Sequence, residues 1–255
     1  MRIIDSHAHL YLTQFDGDRS SMIERARHVG VERFYLPAID SETTGPMLQM
    51  EQDYPGECFV MMGLHPCSVG QNYEQELGHV EKWLGSRSFA AVGEIGLDFY
   101  WDKTFAQQQF EAFRVQIKWA LRYNLPINIH TRNAMQETIN VVKEYKGRGL
   151  KGIFHCFTGS YESAIQIMDA GFLLGIGGVV TYKNAGLAET LAKIPLENLV
   201  LETDAPYLTP VPFRGKRNES SYLQYVISRL EGVYNLPKEK IAEITTLNCL
   251  GLYKQ

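Results

Sequence analysis

Eight short β-branched or apolar runs, most of them separated by longer amphipathic stretches, set the first constraint on how this 255-residue chain can fold. The runs are Arg2–Ser6, Arg33–Ile39, Cys58–Leu64, Phe89–Gly96, Pro126–His130, Gly152–Cys156, Phe172–Gly178 and Leu199–Thr203. Stretches such as Asp18–Gly30, Phe105–Tyr123, Met135–Tyr145 and Glu162–Ala170 carry helical spacing between them; Ala112, Val115 and Trp119 recur every three to four residues. Gly30, Gly56, Gly149 and Gly171 stand just ahead of a run, where a helix ends most easily in a left-handed turn. Strand–helix alternation calls for a parallel sheet, and eight such units close a (β/α)8 TIM barrel. An open doubly wound sheet is the competing arrangement, but no glycine-rich nucleotide turn follows the first run. No Pro/Ser-rich or charge-block linker divides the chain, so residues 1–255 are expected to form one domain.

The carboxyl ends of barrel strands open into one shared mouth. Five of the seven histidines fall at such ends, namely His7, His9, His65, His130 and His155, while His28 and His79 read as solvated helix residues. Glu94 ends the fourth run, and Glu202 and Asp204 end the eighth. Alternation puts His7 on the same face as His9, and Glu202 on the same face as Asp204. His7, His9, Glu94, His130, His155 and Asp204 are therefore candidate metal ligands, a mixed set that suits Zn²⁺, Mn²⁺ or Fe²⁺ better than Mg²⁺. Six chelating groups exceed the needs of one ion, and a carboxylate has two oxygens with which to bridge two. The expected division is His7, His9, Glu94 and Asp204 on one ion, with Glu94, His130 and His155 on the other. Each ion then keeps open positions for water and substrate, the arrangement that serves phosphoester displacement. Asp204 is placed to orient the attacking water or take its proton, which makes Glu94 and Asp204 catalytic candidates.

A local cluster of cations, Arg214, Lys216 and Arg217, follows the eighth run, where barrels often hold phosphate. Arg132, two residues beyond His130, is expected to add a guanidinium to the same mouth. Over the whole chain acidic residues outnumber basic ones, 29 to 25, so bulk positive charge cannot bring nucleic acid to this chain. The four cysteines form no C-x-x-C pair and read as reduced thiols of a cytoplasmic protein. Cys156 alternates away from His155 and is expected in the core. No signal segment opens the chain and its most apolar window, 172–180, is far shorter than a membrane span, so no membrane partner is expected. P-loop, G-x-S-x-G and dinucleotide motifs are absent, and no organic cofactor is expected. Phe99-Tyr100-Trp101 has two readings, base stacking or lid packing.

These residues resemble the TatD family of metal-dependent deoxyribonucleases. The matching segments are Asp5-Ser6-His7-Ala8-His9-Leu10, Gly63-Leu64-His65-Pro66, Gly93-Glu94-Ile95-Gly96-Leu97-Asp98, Ile129-His130-Thr131-Arg132, His155-Cys156-Phe157-Thr158-Gly159, Glu202-Thr203-Asp204-Ala205-Pro206-Tyr207-Leu208 and Arg214-Gly215-Lys216-Arg217-Asn218-Glu219. The resemblance implies a barrel of the amidohydrolase-like, metal-dependent hydrolase type. It also implies two divalent ions (Zn, Mn or Mg) and hydrolysis of DNA ester bonds as a 3′→5′ exonuclease on single-stranded ends. It makes His7, His9, Glu94, His130, His155 and Asp204 the metal ligands, His65 a contact to substrate phosphate, and Glu202 a catalytic carboxylate. A monomer is expected. Three places depart from the family pattern: Asn133 stands where Asp is common after H-[ST]-R, Ser220 where Pro often follows Asn-Glu, and Leu247-Asn248-Cys249-Leu250 where Asn-Ala is usual. Two other readings compete. Amidohydrolase-type cleavage of a small C–N, lactone or phosphoester substrate uses the same barrel, but often with a carbamylated lysine where Glu94 stands. A DNA-binding adaptor would leave the chelating groups without purpose, and buried charge is costly to keep unpaired.

Overall fold

In the computed structural model, which describes residues 1–253, each of the eight runs overlaps a strand, and each strand is hydrogen-bonded in parallel to the next in chain order. The strands are β1 (Ile3–Asp5), β2 (Val31–Pro37), β3 (Cys58–Met62), β4 (Ala91–Asp98), β5 (Ile127–Arg132), β6 (Gly152–Phe154), β7 (Leu173–Ile176) and β8 (Leu199–Leu201). The main helices are α1 (Arg19–His28), α2 (Ser41–Asp53), α3 (Tyr73–Ser86), α4 (Ala106–Tyr123), α5 (Met135–Lys143), α6 (Tyr161–Asp169), α7 (Leu187–Leu191), α8 (Leu223–Tyr234) and α9 (Lys238–Leu252). The first and last strands meet as well. Ser6 N–H donates to Leu201 O at 2.9 Å, and beyond the strand ends Asp204 N–H donates to His7 O at 2.9 Å, so the sheet nearly closes on itself. This is a TIM barrel.

Alternation along the strands sorts the apolar residues into two cores. Ile3, Phe34, Leu36, Val60, Val92, Ile127, Ile129, Phe154, Leu174 and Leu199 face outward and pack under the helices. Ile4, Tyr35, Met61, Ala91, Ile153 and Val200 face inward and fill the barrel. Helix α9 seals the end opposite the mouth, with Thr246 Oγ1–H donating to Arg2 O at 3.0 Å and Asn248 Nδ2–H to Leu199 O at 2.7 Å. Just beyond it, Tyr253 enters the barrel and stacks on Tyr35 at 4.0 Å between ring centroids. Gly30, Gly56, Gly149 and Gly171 all have positive φ, between 79° and 96°, as expected of residues that end helices. No helix among the described residues is long and apolar enough to cross a membrane.

Two of the departures from the family pattern, Asn133 and Ser220, find a physical place. Asn133 sits at φ 52°, in the left-handed region that Asn and Asp enter more readily than other side-chain-bearing residues. Ser220 Oγ–H donates to Asp5 Oδ2 at 2.7 Å, and Thr203 Oγ1–H donates to the same oxygen at 2.6 Å, which ties the end of β1 to the segment after β8. Burial lifts the Asp5 carboxyl to about 6 even with these donors beside it.

Candidate metal centre

At the carboxyl ends of the strands lies a cleft of about 670 Å³, and five strand ends aim a chelating group toward it. The alternation that fills the barrel interior continues up to the mouth. Asn128 and His130 share a face of β5, His155 continues the face of Ile153, and Glu202 that of Val200. Glu94 is the exception, because its strand is irregular between Val92 and Ile95, both of which point outward. That irregularity turns the intervening Glu94 inward, to the same side as Ala91.

Glu94 lies at the centre of the cluster and its two oxygens face different neighbours. Oε2 is 3.2 Å from His7 Nε2 and 3.4 Å from His9 Nε2. Oε1 is 2.7 Å from His155 Nε2 and 2.9 Å from His130 Nδ1. The two imidazole pairs are themselves close, with His7 Nε2 3.2 Å from His9 Nε2 and His130 Nδ1 3.3 Å from His155 Nε2. Asp204 Oδ1 completes the first group at 3.6 Å from both His7 and His9.

The outward nitrogens decide what the inward ones can do. His7 Nδ1 is 2.8 Å from Asn128 Oδ1, an amide oxygen that can only accept, so Nδ1 carries the proton and Nε2 points a lone pair inward. His9 Nδ1 is 3.0 Å from the Tyr11 hydroxyl, whose own hydrogen goes to Pro37 O at 2.6 Å. His9 therefore donates from Nδ1 and also keeps an inward lone pair. His130 Nε2–H donates to Asp98 Oδ2 at 2.9 Å, leaving Nδ1 as the inward atom. In its neutral form each of these three rings has an acceptor behind it and a free electron pair in front, the arrangement by which proteins orient metal-ligating histidines. Facing lone pairs at 3.2–3.3 Å repel unless a cation or a proton lies between them. The donor set fits divalent cations.

The electrostatics agree. Burial pushes the His7 imidazolium down, but Glu94, then Asp204 and Glu202, outweigh it and lift the group to about 10. His130 rises to about 9, where Asp98 and Glu94 overcome burial. His155 falls to about 4 through burial and the charge on His7. Burial opposes ionisation of Glu94, yet the surrounding imidazoles hold it well below the usual carboxylate range. The cluster demands positive charge at its centre. Glu202 is different: burial raises it to about 8, Oε1 accepts the Cys156 N–H, and Oε2 has no partner.

His65 also approaches Glu94, with Nε2 3.4 Å from Oε1. However, its Nδ1 accepts the Cys67 N–H at 3.0 Å, and burial keeps the ring neutral by lowering its pKa. The proton therefore sits on Nε2, making His65 a hydrogen-bond donor toward the cleft. Arg132 lines the cleft as well, 3.8 Å above the ring of Tyr100.

Sequence reasoning misplaced three groups. Cys156 is not a core residue: at φ 47° it breaks the alternation after β6 and lines the cleft. His79 is half-buried, hydrogen-bonded to Thr44 Oγ1 at 2.9 Å. Arg217 does not reach the cleft. Asp18 takes its guanidinium in two contacts of 2.6 and 2.9 Å, and the cation also lies 4.5 Å over the Phe15 ring. Arg214 stacks at 4.4 Å on Tyr182 and Lys216 lies 5.7 Å over Phe213, both exposed on the loop after β8 and outside the cleft lining. Arg217→Ala is accordingly expected to lower stability by roughly 1 kcal/mol, with KM for substrate unchanged. Arg217 and Arg25 hold Asp18 below the usual carboxylate range, so the tie is fully present above about pH 4 and fades as acid protonates Asp18. Thermal melts of parent and variant should converge at low pH.

Sequence reasoning also passed over Asn128, Tyr11 and Asp98, the acceptors behind the histidines. Asn128 precedes His130 by two and Tyr11 follows His9 by two, so the same-face rule points to both. Asp98→Asn is expected to weaken metal binding about 10–100-fold at the His130 position while sparing the fold, a change that calorimetric titration with Mn²⁺ would read.

The family model described as TatD related DNase matches residues 4–254. The chain is 40% identical to the uncharacterized metal-dependent hydrolase YabD of Bacillus subtilis, with 99% of each chain covered. Among solved structures, YjjV, a TatD homolog from Escherichia coli, is 30% identical and superposes with a TM-score of 0.93, covering 100% of this chain and 98% of that one. A hydrolase of the TatD family from Entamoeba histolytica is 22% identical over 99% and 98% of the two chains and shares the fold, with a TM-score of 0.82.

Proposed function

The chain belongs to the TatD-related DNase family and is a metal-dependent hydrolase, and from that premise we propose that it hydrolyses DNA phosphodiesters, working from the 3′ end of single strands. The observation that supports this reading best is that each oxygen of Glu94 faces its own pair of imidazoles. Displacement at a phosphoester is served by two cations that share one carboxylate.

His7, His9, Asp204 and Glu94 Oε2 would hold one divalent ion, and His130, His155 and Glu94 Oε1 the other. The imidazole share favours zinc or manganese over magnesium. When bound, such ions supply positive charge to the phosphoryl oxygens and bring the pKa of a water toward neutrality. The remaining work falls to the chain's own groups. Asp204 turns Oδ1 toward His7 and His9, which leaves Oδ2 to take the proton of the attacking water. Glu202 stands behind His155 as a buried carboxyl, its Oε1 3.8 Å from Nδ1 and beyond hydrogen-bond reach. His65 donates from Nε2 to a phosphate oxygen, and the Arg132 guanidinium grips a neighbouring one. Arg214 and Lys216 add positive charge beside the approach.

The test is a 5′-labelled single strand incubated with chelator-treated protein, with Mn²⁺, Mg²⁺ or Zn²⁺ then restored, alongside a panel of small amides, lactones and esters. The expected result is a ladder of products shortened from the 3′ end only after a metal is returned. An intact strand under every metal, with turnover of a small amide or lactone, would move the assignment to the other hydrolase class.

A further inference from the structure

Phe99-Tyr100-Trp101 is divided by the structure into an anchor and a platform. Phe99 packs inward against Phe110, 5.9 Å between centroids, and its N–H donates to Arg132 O at 2.9 Å. Tyr100 and Trp101 turn outward at the cleft rim and are 51% and 68% exposed. Lid packing would have covered both rings. Trp101 instead lines the cleft together with His65, His130 and Arg132.

Two features hold the platform in place. Asp98 Oδ1 accepts the N–H of Tyr100 at 2.9 Å and of Trp101 at 3.2 Å, while Oδ2 of the same carboxylate takes the His130 proton. One buried side chain therefore fixes the aromatic turn and a candidate metal ligand relative to each other. The Arg132 guanidinium lies over both rings, 3.8 Å from the Tyr100 centroid and 5.1 Å from that of Trp101. Among the described residues Arg132 has no carboxylate partner, in contrast to Arg217, so its N–H groups stay available for phosphate.

We propose that Trp101, braced by Tyr100 and Arg132, is a stacking subsite for one unpaired nucleobase next to the phosphate being cut, and that this subsite selects single strands over duplex. An exposed indole beside a guanidinium offers a nucleotide a flat face for its base and a fork for its phosphate. Bases within a duplex are already stacked on one another and have no free face to give. The inference rests on the nuclease reading above and adds to it the group that tells an unpaired end from a paired one.

The experiment compares the metal-loaded parent with Trp101→Ala and Trp101→Phe on a labelled single strand and on the same sequence as a blunt duplex. Stacking holds the ground state and the transition state alike, so Trp101→Ala should raise KM for the single strand on the order of tenfold and leave kcat unchanged. Its preference for single strand over duplex should shrink by the same factor, and Trp101→Phe should recover most of both. A second readout is fluorescence. Trp119 is buried and Trp83 half-buried, so a phosphorothioate oligothymidylate should quench mainly Trp101, and the quenching should vanish in Trp101→Phe. A Trp101→Ala protein with parental KM and strand preference overturns the subsite and leaves the nuclease reading standing. A parent that cuts neither substrate overturns both.

Discussion

Glu94→Ala should abolish hydrolysis, with turnover falling on the order of a thousandfold or more, because one substitution removes a ligand from both proposed ions. Its oxygens are divided between the His7–His9 pair and the His130–His155 pair, so the second pair loses its inward carboxylate and the first keeps only Asp204. Metal content measured by mass spectrometry should fall together with activity. Glu94→Gln sharpens the test, since an amide keeps the shape but offers only one acceptor oxygen. One pair of histidines should then lose its ion before the other. Parental turnover in Glu94→Ala would show that Glu94 is not a bridge.

Gly175→Ala should be nearly as damaging, although residue 175 touches neither substrate nor metal in this account. Gly175 faces inward on β7, and a Cβ built there lies 2.1 Å from Glu202 Oε2 and 2.5 Å from Glu202 Cδ. Glu202 is fully buried and its Oε1 holds the Cys156 N–H, so the carboxylate cannot step aside without breaking that bond. Overpacking of this kind costs about 1–3 kcal/mol, and displacing Glu202 shifts a proposed catalytic carboxylate that lies against His155. Activity should therefore fall by about a hundredfold or more, as it does when a catalytic constellation shifts by an ångström. The double variant Gly175→Ala/Glu202→Ala separates the two effects. It should regain stability relative to Gly175→Ala, because the clash is gone, without regaining activity. Additive stability losses in the double variant would mean that the two residues do not meet as described.

The barrel and most of the candidate centre were legible in the sequence because they follow strand periodicity. Asn128–His130, Ile153–His155 and Val200–Glu202 keep faithful alternation from the barrel interior to the mouth. Glu94 broke that rule, since the irregularity after Val92 turns it inward, and only a carboxylate within an apolar run announced it. Cys156 was misread for the opposite reason. Its left-handed backbone undoes an alternation that the sequence implies, and no nearby glycine warns of it. Arg217 stood in a cluster of cations, but its partner Asp18 lies 199 residues earlier, a pairing that local charge patterning does not carry. The acceptors behind His7, His9 and His130 are ordinary residues of the strand ends and become meaningful only once the rings they orient are seen together.

Anomalous diffraction from crystals soaked in Mn²⁺ tests the central claim most directly. Two peaks about 3.5–4 Å apart are expected, one between His7, His9 and Asp204 and the other between His130 and His155, with a single Glu94 oxygen on each. One peak shared by all four histidines, or none at these nitrogens, would contradict it.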